Sequence, residues 1–407
     1  MQLPRFKARQ VDFYVAASDF ALFDGVAEEL DAQFGDNGWS SIGLDDVAGV
    51  VASGAPAGLE GMLFALSNVD EHRAADLAKQ IAAIKALRLP VVLLLKDVGP
   101  SAMHTLIRAG AFDFVPYPTP DGALTEALQR MRNHDALTDV QTADVGRKGV
   151  VLPVFSLSGG AGGTTFAVNL AWELAQERRK APVRVCLLDL DFQFGSVSTY
   201  LDMPRQEALM ELLSTAGVGG IDRDALAGAF SLYKRRLSVM TSPTDAMPMD
   251  IVNSDEIDRI IKLCASAFDY VVLDLPHTLT SWTERVLANA ETFFAVTQMD
   301  MRSAQNTLRF LRLLKAEELP LEKLEFVMNR APGFANFGGR GRVKRMGESL
   351  GIEYALQLPD GGRQVSQACD HGQPLAEYAS GNALRKEIKR IAASLKVAAD
   401  QRKAGAL

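Results

Sequence analysis

Short apolar runs alternate with longer stretches in which apolar positions recur every three or four residues, and the chain goes through this alternation twice. The first series is VDFYVAA (11–17), a helical stretch 20–34, GMLFALS (61–67), a helix 71–87, PVVLLL (90–95), a helix 100–109 and FDFVPYP (112–118). Runs that are apolar on both faces and separated by helices predict a parallel sheet covered on both sides. Residues 136–149 are polar without apolar periodicity and read as an interdomain linker. The second series then starts with VVLPVFSL (150–157), a helix 164–177, VRVCLLDLD (183–191) and LSVMTS (237–242). It continues with a helix 254–266, YVVLDLP (270–276), FFAVTQ (293–298), a helix 302–316 and LEFVMNR (324–330). The expectation is two doubly wound α/β domains, 1–135 and 150–407, joined by 136–149. A last helix over 381–403 sets Leu384, Ile388, Ile391 and Leu395 against a basic face. It reads as a closing helix on the second domain, with a membrane-surface helix as the alternative.

Length and charge narrow the function classes. At 407 residues the chain is long enough for two or three cores. A net charge of −7 argues against nucleic acid as the default partner. RGRVKR (340–345) is the one basic run that could form a DNA-binding face, and it reads more simply as a solvated loop or partner contact. Cys186, Cys264 and Cys369 lie far apart in apolar or helical contexts, as buried thiols of a reducing compartment do. No secretory signal and no membrane span is expected, which places the protein in the cytoplasm.

The segment with most chemistry is Phe155-Ser-Leu-Ser-Gly-Gly-Ala-Gly-Gly-Thr-Thr-Phe166, a glycine-rich turn between an apolar strand and an amphipathic helix. Glycines let backbone approach a phosphate chain, and a helix N-terminus offers free N–H groups and the positive end of its dipole. A tight turn alone can demand glycine for steric reasons, so the neighbouring segments matter.

Ser158–Thr165 resembles the deviant Walker A loop of the MinD/ParA ATPases, Lys-Gly-Gly-x-Gly-Lys-Thr-Thr/Ser, with both lysines missing. Ser158 stands at the lysine that would reach across a dimer, Gly163 at the one that would bridge the outer phosphates, and Leu157 replaces a glycine. A lysine about 4 Å from a phosphate charge contributes about 4 kcal/mol at an effective dielectric of about 20, so both losses weaken nucleotide binding and hydrolysis.

The resemblance implies that Ser158, Gly159, Gly160, Ala161, Gly162, Gly163, Thr164 and Thr165 cradle ATP, with Thr164 also on Mg²⁺ and Thr165 at the α-phosphate. LLDLDFQFG (187–195) resembles the second acidic motif. It implies Asp189 near the metal and Asp191 as the residue that orients the attacking water. VVLDLP (271–276) resembles the Walker B strand, which implies Asp274 as a Mg²⁺ partner through water. FVMNR (326–330) resembles the strand whose asparagine reads adenine, here Asn329, followed by Arg330. LPDGGRQVSQACDHGQPLAEY (358–378) follows the stretch that lines the base pocket, including Pro359 and Asp360.

The first domain resembles a response-regulator receiver. LIRAGAFDFVPYP (106–118) matches its AGAxDYLxKP stretch, but Tyr117 takes the lysine position and the third strand ends in Ser67-Asn68 without an acceptor aspartate. Asp19 could be one of the acidic pair, and Asp70 lies too far along the loop. A receiver half followed by a MinD/ParA half resembles the CpaE/TadZ proteins of tight-adherence (Flp-type) pilus assembly. That resemblance implies a homodimer, a place at the cell pole or inner-membrane face, and pilus secretion ATPase, other pilus machinery or a polar landmark as partners. The alternative it leaves open is an active ATPase cycling between dimer and monomer.

Overall fold

The structure is a computed structural model that describes residues 13–132 and 148–405, except 36–37, 54–58, 88, 121, 177–182, 207–208, 210–212, 214–220, 222, 235, 249–251 and 334–335. The chain divides into two compact units, Met1–His134 and Asp135–Leu407. All but the last two residues of the predicted linker lie outside the described residues, as does the charged N-terminal decapeptide.

The first unit is a five-stranded parallel sheet of β1 (Phe13–Ala17), β2 (Trp39–Gly43), β3 (Gly61–Ser67), β4 (Val91–Lys96) and β5 (Asp113–Tyr117), in the order β2-β1-β3-β4-β5. This is the flavodoxin-like doubly wound order. All of β3 is buried, and alternate residues feed opposite faces. Leu63 and Ala65 pack with Phe13, Val26, Leu30 and Leu128, while Met62, Phe64 and Leu66 pack with Leu77, Ile81 and Leu106. Two-sided burial is why these strands read as continuous apolar runs. Edge strand β2, Trp-Ser-Ser-Ile-Gly, has no fully buried residue and therefore leaves no such run to read. The predicted helix 20–34 is broken. A 3₁₀ turn Phe20–Leu22 precedes the helix Val26–Phe34, with Gly25 between them at φ +81°.

The second unit holds β6 (Val150–Ser156), β7 (Val185–Asp189), β8 (Ser231–Tyr233), β9 (Leu237–Met240), β10 (Tyr270–Leu275), β11 (Phe293–Thr297), β12 (Leu324–Ala331) and β13 (Leu356–Pro359). They form one sheet, β13-β12-β11-β6-β10-β7-β9-β8, parallel except for the antiparallel β8–β9 pair at one edge. One face packs Phe155, Leu188 and Leu273 against the helices Ser254–Ala267 and Met301–Ala316. The other packs Val154, Leu187 and Val272 against Gly163–Ala175 and Ala383–Gly405.

Packing answers the question left open for the last helix. Leu384, Ile388 and Ile391 are buried against the domain, and Glu173 of Gly163–Ala175 pairs with Arg385 at 2.5 Å. The apolar stripe is thus spent on the domain core and is not offered to a membrane. Two further expectations change. RGRVKR lies inside the helix Phe337–Leu350 and is not a loop, and Cys369 is only half-buried, whereas Cys186 and Cys264 are buried. No helix among the described residues is long and apolar enough to cross a membrane.

Candidate functional site

The glycine turn leaves β6, which stands fourth in the sheet between β11 and β10. The loops after β7, β10, β11 and β12 come off the same C-terminal edge, where doubly wound sheets bind ligands. Gly160 and Gly162 turn the chain with φ of +77° and +94°, and the helix Gly163–Ala175 begins directly after them.

Side chains from the loop, helix and strand beside it hold the turn in place. Gln298 Nε2 donates to the Gly160 carbonyl at 2.7 Å, Asn306 Nδ2 to that of Leu157 at 2.8 Å, and Asn329 Nδ2 to that of Ala161 at 2.7 Å. The Gly163 N–H donates to Ser156 Oγ at 3.1 Å. Ser158 is buried, its hydroxyl 3.0 Å from that of Ser303 in the same chain. A Cβ placed on Gly163 would stand well inside 3.0 Å of Ser156 Oγ, so this loop is packed for glycine where a P-loop lysine would be.

A cavity of about 360 Å³ opens beside the turn, lined by Gly162, Thr165, Tyr200, Asn329, Arg330 and Asp360 among others. Its size lies in the lower part of the range for small-molecule pockets, roughly 300–1,000 Å³. Of the sequence-predicted nucleotide residues, Gly162, Thr165, Asn329, Arg330 and Asp360 therefore meet around one space. Pro359 instead pairs with Ala331 between β12 and β13, and Gly159 and Gly160 are exposed on the turn. Arg330 sits at φ +50°, a conformation uncommon for residues other than glycine and concentrated at functional sites.

Residues 150–322 match the family described as AAA domain. The MinD septum site-determining protein of Synechocystis is 24% identical over 227 residues, covering 55% of this chain and 81% of that protein. An uncharacterized ATP-binding protein of Methanocaldococcus jannaschii is 28% identical over 198 residues, covering 47% of this chain and 68% of that one. The crystal structure of a ParA family ATPase from Chlorobium tepidum superposes with a TM-score of 0.53 at 22% identity, over 60% of this chain and 98% of that one, and that likeness shows the fold. The second unit has the fold of the MinD/ParA ATPases.

Within this fold the acidic residues gather beside the glycine turn. Asp189 and Asp274 are register partners on adjacent strands, and both are buried. Asp189 Oδ1 accepts from the Asp191 N–H at 3.2 Å and Oδ2 from the Val197 N–H at 3.1 Å, yet burial pushes its carboxyl up to about 7. Asp274 is pushed well above the usual carboxylate range, by burial first and by Asp189 second, although Thr164 donates to it. Asp189 and Asp274 are two buried carboxylates side by side, and among the described residues no group of three or more His, Cys, Asp or Glu is placed together to hold a metal ion. Thr164, Asp189 and Asp274 thus stand together. Asp191 Oδ1 accepts from the N–H groups of Gln193 and Phe194 and stabilises its own turn.

Tyr200 is not legible in the sequence as a site residue. It lies in the short helix Val197–Leu201, and its hydroxyl is 3.0 Å from Thr165 Oγ1. Nothing in a lone tyrosine on one turn of helix signals such a contact. Val365, Ser366 and Cys369, which also line the cavity, fall inside the stretch 358–378.

In the first unit, the residues at the ends of its strands are bonded to one another. Asp70 is buried and accepts from the Ser67 N–H at 2.9 Å and from Ser18 Oγ at 2.6 Å, so it caps the turn that follows β3. Asp19 caps the 3₁₀ turn Phe20–Leu22 through the Ala21 N–H. Lys96 Nζ donates to the Leu22 carbonyl at 2.9 Å and lies 5.1 Å from the centre of the Tyr117 ring, and Tyr117 Oη donates to the Asp24 carbonyl at 3.3 Å.

Proposed function

We propose that the chain is a localisation or scaffold factor that binds ATP in a dimer, hydrolyses it weakly or not at all, and serves assembly of a tight-adherence (Flp-type) pilus secretion machine. The observation that carries this reading is a MinD/ParA-type loop packed around glycine at position 163, beside a retained cavity and a retained acidic pair. Binding features persist while the cation that would stabilise charge on the transferring phosphoryl group is missing. Thr164, Asp189 and Asp274 would hold Mg²⁺, which when bound neutralises phosphate charge. Gly162, Thr165, Asn329, Arg330 and Asp360 would bind the nucleotide itself. Phe194 and Leu279 stand exposed on the loops after β7 and β10, and Met301 at the start of the helix after β11, around the strand that leads into the glycine turn. Exposed apolar groups at that edge support assembly through this face. The order of a flavodoxin-like unit and a MinD/ParA-type unit supports the pilus assignment, with pilus secretion ATPase or a polar landmark as partner at the cell pole or inner-membrane face.

Equilibrium binding of ATP and ADP with Mg²⁺, read alongside the dimer fraction by light scattering for wild type and Asp274→Ala, tests the biochemical part. Binding that promotes dimerisation, lost in Asp274→Ala and without steady phosphate release, is the expected result. Absence of binding at millimolar nucleotide excludes it. A fluorescent fusion that fails to gather where the pilus secretion ATPase gathers would remove the pilus assignment. The second reading, an ATPase cycling between dimer and monomer, is favoured by the grouping of Asp189, Asp191 and Asp274. It requires phosphate release stimulated by a partner.

A further inference from the structure

Thr165 closes the phosphate loop, and its hydroxyl is engaged from outside that loop. Thr165 Oγ1 and Tyr200 Oη are 3.0 Å apart, and Tyr200 lines the same cavity as Gly162, Asn329, Arg330 and Asp360. The helix that carries Tyr200 is held at its start by the Val197 N–H, which donates to Asp189 Oδ2 at 3.1 Å. The Tyr200 hydroxyl also interacts with the Cys369 thiol, which lines the same cavity. Burial raises the phenol above its usual range, so the group stays a neutral O–H at physiological pH. With Thr165 as the donor of this bond, Tyr200 Oη competes with a phosphate oxygen for the single Thr165 O–H, by hydrogen bonding and by occupied space, with no charge repulsion.

We propose that Tyr200 gates the phosphate end of this cavity, its hydroxyl holding that of Thr165 so that a nucleotide's phosphate must take Thr165 from it. The proposal rests on the nucleotide-binding reading above. It adds a specificity-determining residue: the gate penalises ligands by their phosphate and leaves the base and ribose end of the cavity untouched. In a loop without lysines this penalty is not offset by a strong phosphate contact, so Tyr200 sets how far nucleotide occupies the site.

The test uses the full chain and three variants, Tyr200→Phe, Thr165→Val and the double substitution. A fluorescent ADP analogue is titrated with Mg²⁺, and adenosine is measured by displacement. Tyr200→Phe removes one oxygen and keeps the ring, so the fold is retained and thermal unfolding checks it. The expected result is ADP binding tighter by about fivefold, the equivalent of one net hydrogen bond, with adenosine binding unchanged. In the Thr165→Val background the same change is expected to have no effect on ADP. Equal or weaker ADP binding by Tyr200→Phe overturns the gate while leaving nucleotide binding intact. Equal tightening of ADP and adenosine also overturns it, because cavity volume would then be the cause. Failure of wild type and every variant to bind ADP at millimolar concentration overturns the nucleotide reading itself and the gate with it.

Discussion

Placing a lysine at position 163 measures how tightly the turn is packed around glycine. In Gly163→Lys the new Cβ falls well inside 3.0 Å of Ser156 Oγ but stays 3.5 Å from Ser156 Cβ, so the conflict is with the hydroxyl alone. That hydroxyl accepts the Gly163 N–H at 3.1 Å. To clear a Cβ it must turn to another staggered rotamer and give up the bond, a net cost of about 1 kcal/mol. A cation at the first residue of a helix costs about 0.5 kcal/mol more against the dipole. Replacing a glycine returns up to about 1 kcal/mol in a helix interior and less at its first residue. The net expectation is a loss of about 1 kcal/mol, or a fall in Tm of about 3 °C for a unit of this size. Ser156→Ala removes the hydroxyl beforehand, so in that background Gly163→Lys should cost almost nothing. The two substitutions should therefore couple by about 1 kcal/mol in a double-mutant cycle followed by thermal unfolding. Equal costs in both backgrounds would refute the steric reasoning. The lysine itself should tighten ATP binding by about tenfold or more once Ser156 no longer opposes it.

Other consequences follow from the same geometry. Asp274→Asn removes one of two adjacent buried carboxylates and should raise Tm in the presence of EDTA, while abolishing any shift in Tm on adding Mg²⁺; a lower Tm in EDTA would contradict the like-charge account. Glu173→Gln leaves the largely buried Arg385 without its carboxylate and should cost about 3 kcal/mol, with hydrogen exchange rising first in Ala383–Gly405. Ile388→Ala, at a fully buried position, should cost about 3 kcal/mol and leave vesicle binding unchanged, whereas a loss of vesicle binding in a folded variant would revive the membrane-surface helix. Acetyl phosphate with Mg²⁺ should add no phosphoryl mass to residues 1–134, because Asp70 is committed to Ser67 and Ser18.

Much of the fold and the outline of the site are legible in the order of the amino acids. Parallel strands covered on both faces must be apolar at successive positions, and those of β3, β4, β6, β10 and β11 announce themselves for that reason. The glycine turn is equally plain, because backbone curvature of +77° and +94° at Gly160 and Gly162 is a local demand met by a local residue type. Edge strands β2 and β8 carry no such signal. A strand paired on one side need not be apolar on both faces, so its identity comes from the neighbour that recruits it.

Two α/β units, the glycine turn and the absence of lysine at 158 and 163 are written in the local order of residues. What surrounds those positions comes from contacts across the fold. Ser158 is turned inward to Ser303, Ser156 fills the space beside Gly163, and Tyr200 reaches Thr165 from a helix the pattern did not reveal. Tertiary packing likewise decided that the last helix spends its apolar stripe on the domain core. Local pattern governs which element forms, since periodicity is a property of neighbours along the chain. Contacts between residues far apart in sequence depend on how the sheet orders its strands, and in this site those contacts set which hydroxyls and carboxylates remain for a ligand.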